Sequence, residues 1–151
     1  MNYLLDADAT IDHLSGEPSV QALITSLAKA DLGIAATTLV ELYTGVYRSA
    51  NPGAAERELQ AFLKTVTILP LSRRVIFRAA RLRADLLNRN LAIRTRAYDI
   101  LAAAFALEHG LTIVTSNTRD YRGIAGLTQL DARSGKFMTH LRLWLAESAP
   151  R

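Results

Sequence analysis

The chain has 151 residues, half of them apolar, and its 18 basic and 14 acidic side chains leave a net charge of +4. This size supports one compact domain and leaves no room for a second domain of ordinary size. No apolar run approaches the ~20 residues of a membrane helix and the N-terminus carries no signal pattern, so a cytoplasmic protein without a membrane partner is expected. The lack of cysteine excludes disulfides, thiolate zinc sites and cysteine nucleophiles.

Strand and helix patterns alternate along the first half of the chain. Short apolar runs predict strands, whereas capping residues, turn signals and helical spacing of apolar side chains predict helices. In chain order we predict a strand at 3–5, a helix from 10 that resumes after the turn at 16–18 and reaches about 29, a strand at 32–36, a helix from 38 to the turn at 51–53, a helix at 54–64 and a strand at 66–69.

The second half of the chain continues this alternation. Ser72 caps a helix whose apolar side chains follow helical spacing, and another helix spans 98–109 before Gly110 ends it. Residues 111–115 form the clearest strand, since every residue after the first is β-branched. Strands that alternate with helices predict an α/β sandwich with a mostly parallel central sheet flanked by helices.

A basic segment covers residues 73–96, where eight arginines accompany a single acidic residue, Asp85. Guanidinium groups match the geometry of phosphate oxygens, so the segment indicates a nucleic acid or an acidic protein as partner. The alternative is an ordinary solvated helix face. The arginines that we assign to RNA or partner contact are Arg78, Arg81 and Arg89.

Acidic residues recur where the predicted strands end. The stretch LLDADAT places Asp6 just after the first strand, and the carboxyl ends of parallel strands meet at one edge of a sheet. Carboxylates gathered there repel one another unless a proton or a divalent cation lies between them. With no cysteine and three scattered histidines, the ligands are oxygen atoms, which suit Mg²⁺ or Mn²⁺. The candidates are Asp6, Glu41, Asp99, Asn117 and Asp120.

The same opening stretch also fits a phosphatase of the haloacid dehalogenase type. In that interpretation Asp6 is the phosphorylated nucleophile and Asp8 is the general acid. Such enzymes also need a later lysine and a paired-acid motif, but neither Lys64 nor Lys136 precedes two consecutive aspartates. The phosphatase is therefore an alternative that one motif supports.

Three stretches of the chain form a series of motifs: YLLDADATIDHL, TTLVELYTG and YDILAAAFALEHGLTIVTSNTRDYRGIAGL. Together they resemble the successive motifs of PIN-domain ribonucleases, and most closely those of the VapC-type toxins of bacterial toxin–antitoxin modules. The resemblance covers roughly residues 1–131 and implies a PIN-like three-layer sandwich over that range. It also implies cleavage of RNA that depends on Mg²⁺ or Mn²⁺, a homodimer, and inhibition by a cognate VapB-like antitoxin.

The resemblance further implies roles for single residues. By position, Asp6, Glu41 and Asp99 correspond to the first three metal-binding acids of that family, and the fourth falls within 116–121, at Asn117 or Asp120. A PIN-like module that binds RNA or a partner without cleaving is the remaining alternative. Residues 132–151 lie beyond the resemblance, and their apolar spacing predicts a C-terminal helical extension.

Overall fold

The computed structural model describes residues 1–28, 31–91 and 97–135. Within these ranges the chain forms five β-strands, six α-helices and one 3-10 turn. The strands are β1 (Tyr3–Leu5), β2 (Leu32–Ala35), β3 (Thr67–Leu69), β4 (Thr112–Thr115) and β5 (Gln129–Asp131). The helices are α1 (Ala7–Leu14), α2 (Pro18–Leu27), α3 (Thr38–Arg48), α4 (Pro52–Leu63), α5 (Arg73–Asn88) and α6 (Ala97–His109), and the 3-10 turn spans Thr118–Tyr121.

The five strands form one parallel sheet in the order β3-β2-β1-β4-β5. β1 lies at its centre, with Leu4 opposite Gly33 of β2 and Ile113 of β4. Successive side chains of a strand point to opposite faces, so Leu4 and Leu5 face opposite sides of the sheet. Both are fully buried, and both faces of the sheet are therefore covered.

Helices provide the cover on each face. On one side, Leu4 and Ile113 pack with side chains of α5 and α6, among them Phe105. On the other side, Leu5 and Val114 pack with side chains of α1, α2 and α4, and a neighbouring cluster joins α3 to α4. This arrangement of helices, sheet and helices confirms the predicted three-layer α/β sandwich.

Two elements differ from the sequence prediction. Helix α1 begins at Ala7 rather than at residue 10 because Asp6 is its N-cap, with the Asp6 carboxylate accepting a hydrogen bond from the Ala9 N–H at 2.9 Å. Strand β5 was not predicted, since Gln129–Asp131 contains no β-branched or aromatic residue. Its conformation follows from pairing with β4, which the local sequence does not encode.

The described chain ends shortly after β5. Ala132 is buried, and Arg133 forms an ion pair with Asp12 at 2.7 Å. The helical extension predicted for 132–151 falls almost entirely on residues 136–151, which lie outside the described residues, so the division of the chain at residue 131 stays a prediction. In the described ranges, no helix combines the length and apolarity needed to cross a bilayer.

Candidate active site

The fold brings the acids that the sequence analysis grouped to one edge of the sheet. Asp6 directly follows β1, Glu41 lies in the first turn of the helix after β2, and Asp99 lies in the first turn of the helix that leads into β4. Asn117 and Asp120 belong to the segment after β4. The carboxyl ends of parallel strands share one edge, so all five approach the same region. We call Asp6, Asp8, Glu41, Asp99 and Asp120 the acidic edge.

Asp6 is the most constrained of these acids. Its side chain is buried, with Oδ1 accepting from the Ala9 N–H at 2.9 Å and Oδ2 accepting from the Tyr121 hydroxyl at 3.2 Å. Burial raises the pKa of Asp6 to about 6, although these two hydrogen bonds and one from the Thr115 hydroxyl favour its charged form. The carboxylate is thus held in one orientation by groups that stabilise its charge.

Glu41 reports the mutual repulsion at the acidic edge. Burial, and then the charges of Asp99, Asp8 and Asp6, together raise its pKa to about 7. The pKa of Asp8 is also raised, first by burial and then by the charge of Asp120. These acids therefore interact across the edge, although they come from four separate segments of the chain.

The donor set of the acidic edge fits a hard divalent cation. Carboxylate oxygens are the ligands that Mg²⁺ and Mn²⁺ prefer, and a cation between Asp6, Glu41 and Asp99 would offset the repulsion that raises the pKa of Glu41. In the described part of the chain, no three or more His, Cys, Asp or Glu side chains form a preassembled metal cage. The fit rests on donor chemistry and charge.

Two residues remain candidates for the fourth position. Asp120 lies close enough to Asp8 for its charge to raise the pKa of that residue. Asn117 lines a cavity of about 370 Å³ together with Asp8 and Arg133, and its backbone N–H donates to Thr115 Oγ1 at 3.0 Å. Asp120 is thus part of the acidic edge, and Asn117 lies beside it.

Sequence reasoning missed Tyr121 as a residue of the site. Its ring is 1% exposed, and its hydroxyl donates to Asp6, which is 115 residues away in the chain. Burial and the charge of Asp6 raise the pKa of Tyr121 well above its usual range, so the hydroxyl stays protonated and acts as a donor. A contact this distant in sequence leaves no local pattern.

The first of the predicted contact arginines lies away from the acidic edge. Arg78 and Arg74 both pair with Glu108 of α6, at 2.8 and 2.6 Å respectively. Glu108 follows Asp99 by nine residues on the same helix, which corresponds to about 14 Å along the axis. Arg78 therefore joins α5 to the far end of α6.

The other two arginines have different surroundings. Arg89 pairs with Asp85 at 2.6 Å and donates to the Gly123 carbonyl at 2.6 Å. Arg81 is exposed, makes no hydrogen bond or ion pair with the described residues, and lines a cavity of about 460 Å³ with Phe77. Of the three, Arg81 is the one whose guanidinium forms no ion pair with the described residues.

Glu41→Gln is expected to stabilise the protein at high pH when divalent cations are removed. The pKa of Glu41 in the folded state, about 7, exceeds its ordinary value of 4.5, so its stabilising contribution is complete below about pH 4.5 and is lost as the pH rises through 7. Glutamine avoids that loss. Because Glu41 is only half buried, solvent screening limits the gain at pH 8 to about 1–2 kcal/mol.

Urea unfolding in EDTA at pH 4.5 and pH 8 measures this effect. Glu58→Gln, at an exposed glutamate of α4, is the matched control and is expected to leave the pH dependence of stability unchanged. A Glu41→Gln variant with the same pH dependence as the parent protein would contradict the electrostatic description of the acidic edge.

Known proteins are similar to this chain in both sequence and fold. The family model of the PIN domain matches residues 3–127. Ribonuclease VapC1 of Rickettsia felis is 35% identical over 105 residues, which cover 67% of this chain and 76% of the relative. The tRNA(fMet)-specific endonuclease VapC of Shigella flexneri is 24% identical over 131 residues, covering 87% of this chain and 98% of the relative.

A solved structure is also similar to this chain in its fold. The VapBC2 complex of Rickettsia felis, bound to a DNA fragment from its promoter, contains a chain with a TM-score of 0.79 and 27% identity, covering 86% of this chain and 98% of that one. The resemblance predicted from the three motifs is confirmed, and with it the assignment of the Asp6 motif to nucleases rather than phosphatases. This chain belongs to the PIN domain family, and within it to the VapC ribonucleases.

Proposed function

We propose that this protein is an endoribonuclease and the toxin of a type II toxin–antitoxin pair, and that it hydrolyses RNA phosphodiesters with Mg²⁺ or Mn²⁺. The observation that carries the proposal is the acidic edge, where Asp6, Glu41 and Asp99 interact within a domain matched by the PIN family model. The names of the relatives, a ribonuclease and a tRNA-specific endonuclease, support RNA as the substrate.

In this proposal Asp6, Glu41 and Asp99 hold the cation, and Asp120 or Asn117 completes the set. When bound, the cation supplies Lewis-acid polarisation of the phosphodiester and lowers the pKa of an attacking water. The side chains supply the charge and the orientation for this chemistry. Asp6 contributes most to orientation, because the backbone of Ala9 and the hydroxyl of Tyr121 hold its two oxygens.

The basic segment is proposed to contact RNA or a partner through Arg78, Arg81 and Arg89. The exposed guanidinium of Arg81 is the best placed of the three, since Arg78 and Arg89 each pair with an acid of the same chain. Guanidinium groups outside the acidic edge would attract the RNA backbone, which the carboxylates repel.

The proposed partner is a VapB-like antitoxin, and the proposed assembly of the toxin is a homodimer in the cytoplasm. The VapBC2 complex of Rickettsia felis supports the antitoxin, because a chain of that complex shares this fold at 27% identity. We also propose that residues 1–131 form the nuclease domain and that residues 132–151 are a helical extension.

A non-catalytic PIN-like module is the weaker alternative. Such a module would have lost acids of the site, whereas Asp6, Glu41 and Asp99 are all present here and repel one another. Asp120 supplies a further carboxylate in the segment after β4. The presence of these four carboxylates therefore favours cleavage over binding alone.

An RNA cleavage assay tests the proposed function. Purified protein with Mn²⁺ is expected to cut RNA at internal positions. The RNAs tested include initiator tRNA, because a relative is specific for it. A Glu41→Gln preparation, purified in parallel, controls for contaminating ribonucleases. If the RNA stays intact and p-nitrophenyl phosphate is hydrolysed, the result would contradict the proposal and favour the phosphatase alternative.

A further inference from the structure

Tyr121 is a buried phenol whose only polar atom lies against the acidic edge. The residue ends the 3-10 turn, and its ring belongs to the core cluster that contains Phe105 and Ile124. A buried tyrosine hydroxyl needs a hydrogen-bond partner, and in this fold the partner is Asp6, at 3.2 Å. Packing of the ring thus places the hydroxyl at one carboxylate.

The two oxygens of Asp6 are held by different parts of the chain. Oδ1 accepts from the Ala9 N–H and Oδ2 accepts from Tyr121, which is the donor because a carboxylate oxygen only accepts. Rotation of the carboxylate would break both bonds at a buried position, where an unsatisfied polar group is unfavourable. With the further hydrogen bond from the Thr115 hydroxyl, the carboxylate still keeps a lone pair for another ligand.

The contact also joins two segments of the site. Asp6 follows β1, whereas Tyr121 ends the turn that carries Asp120 and begins after Asn117. Thr115 makes a second connection between the two segments. Its hydroxyl donates to Asp6, and its Oγ1 accepts from the Asn117 N–H at 3.0 Å. Hydrogen bonds thereby connect the segment that carries Asn117 and Asp120 to Asp6.

We propose that Tyr121 is a positioning residue: its hydroxyl fixes the carboxylate of Asp6 in the orientation that binds the cation, and holds the turn with Asp120 beside it. This inference rests on the proposed function. It adds a residue that acts through the carboxylate of Asp6 and not as a ligand of the cation.

Tyr121→Phe tests the inference, since it removes one hydroxyl and keeps the ring in the core. Mn²⁺ binding, measured by electron paramagnetic resonance or calorimetry, is expected to weaken about tenfold, as is typical when a metal ligand loses an outer hydrogen bond. The kcat for RNA cleavage at limiting Mn²⁺ is expected to fall, whereas KM for RNA should stay within about twofold because the arginines that attract phosphates are unchanged.

Tyr3→Phe is the matched control, because it removes a phenol hydroxyl from the other end of β1 and leaves Asp6 untouched. It is expected to bind Mn²⁺ as the parent protein does. A Tyr121→Phe variant that unfolds cooperatively and binds Mn²⁺ with the affinity of the parent would overturn the positioning role alone. Failure of the parent protein to bind Mn²⁺ would overturn both this role and the proposed metal-dependent function.

Discussion

EDTA is expected to abolish RNA cleavage, and Asp99→Asn is expected to abolish it even in excess Mn²⁺. The acids of the edge repel one another, as the raised pKa of Glu41 indicates, and they would equally repel a phosphodiester unless a cation lies between them. Asparagine keeps the size of Asp99 and removes its charge. A loss of about a thousandfold, or about 4 kcal/mol in barrier, is expected from this single change.

The measurement is the rate of appearance of RNA fragments, with and without EDTA, followed by restoration with Mn²⁺. Asp31→Asn is the matched control, since Asp31 is an exposed acid just before β2, at the opposite edge of the sheet. It is expected to cleave at the parent rate. Cleavage that persists in EDTA would refute the metal-dependent mechanism, provided that Asp99→Asn retains the circular dichroism and cooperative unfolding of the parent.

Asp6→Asn and Asp8→Asn are expected to differ sharply, although the two residues are neighbours on one turn. Asp6→Asn removes a charge from the acidic edge and is expected to eliminate cleavage, while asparagine still caps α1 as well as aspartate does. Asp8 supports the site from the first turn of α1, so Asp8→Asn should keep activity within about tenfold, a change of about 1.4 kcal/mol in barrier.

Both variants are assayed on RNA and on a phosphomonoester. In the phosphatase alternative, Asp8 transfers a proton to the leaving group, a role worth about 10²–10⁴ in rate that an amide cannot fill. Equal inactivation of the two variants, combined with an aspartyl-phosphate trapped on Asp6 of the parent protein, would overturn the nuclease assignment.

The parts of the fold that sequence could predict are those with a local physical cause. The apolar runs at β1, β2 and β4 are buried strands, and Ser72 caps α5 because its Oγ accepts a hydrogen bond from the Val75 N–H at 3.2 Å. β5 has no such signal, because its pairing with β4 alone makes it a strand. The start of α1 was misplaced because Asp6 was assigned only to the site and not also to the helix.

The candidate site divides in the same way. The grouping of Asp6, Glu41 and Asp99 follows from where parallel strands end, which the sequence reveals. The hydroxyl of Tyr121 reaches Asp6 only because the segment after β4 folds back onto β1, and the local sequence does not predict that contact. Arg78 faces Glu108 for a comparable reason, since the packing of α5 against α6 is a property of the assembled domain.

The dual position of Asp6, as N-cap of α1 and as an acid of the site, limits which substitutions at this position can remove activity and leave the fold intact. Alanine at this position would remove the helix cap, at about 1 kcal/mol, as well as the charge, so the resulting protein would be both inactive and less stable. Asparagine or serine would remove the charge, and with it the activity, and would still act as the N-cap of the helix. Of the substitutions at position 6, asparagine and serine would therefore be the ones that abolish cleavage and keep the folded protein.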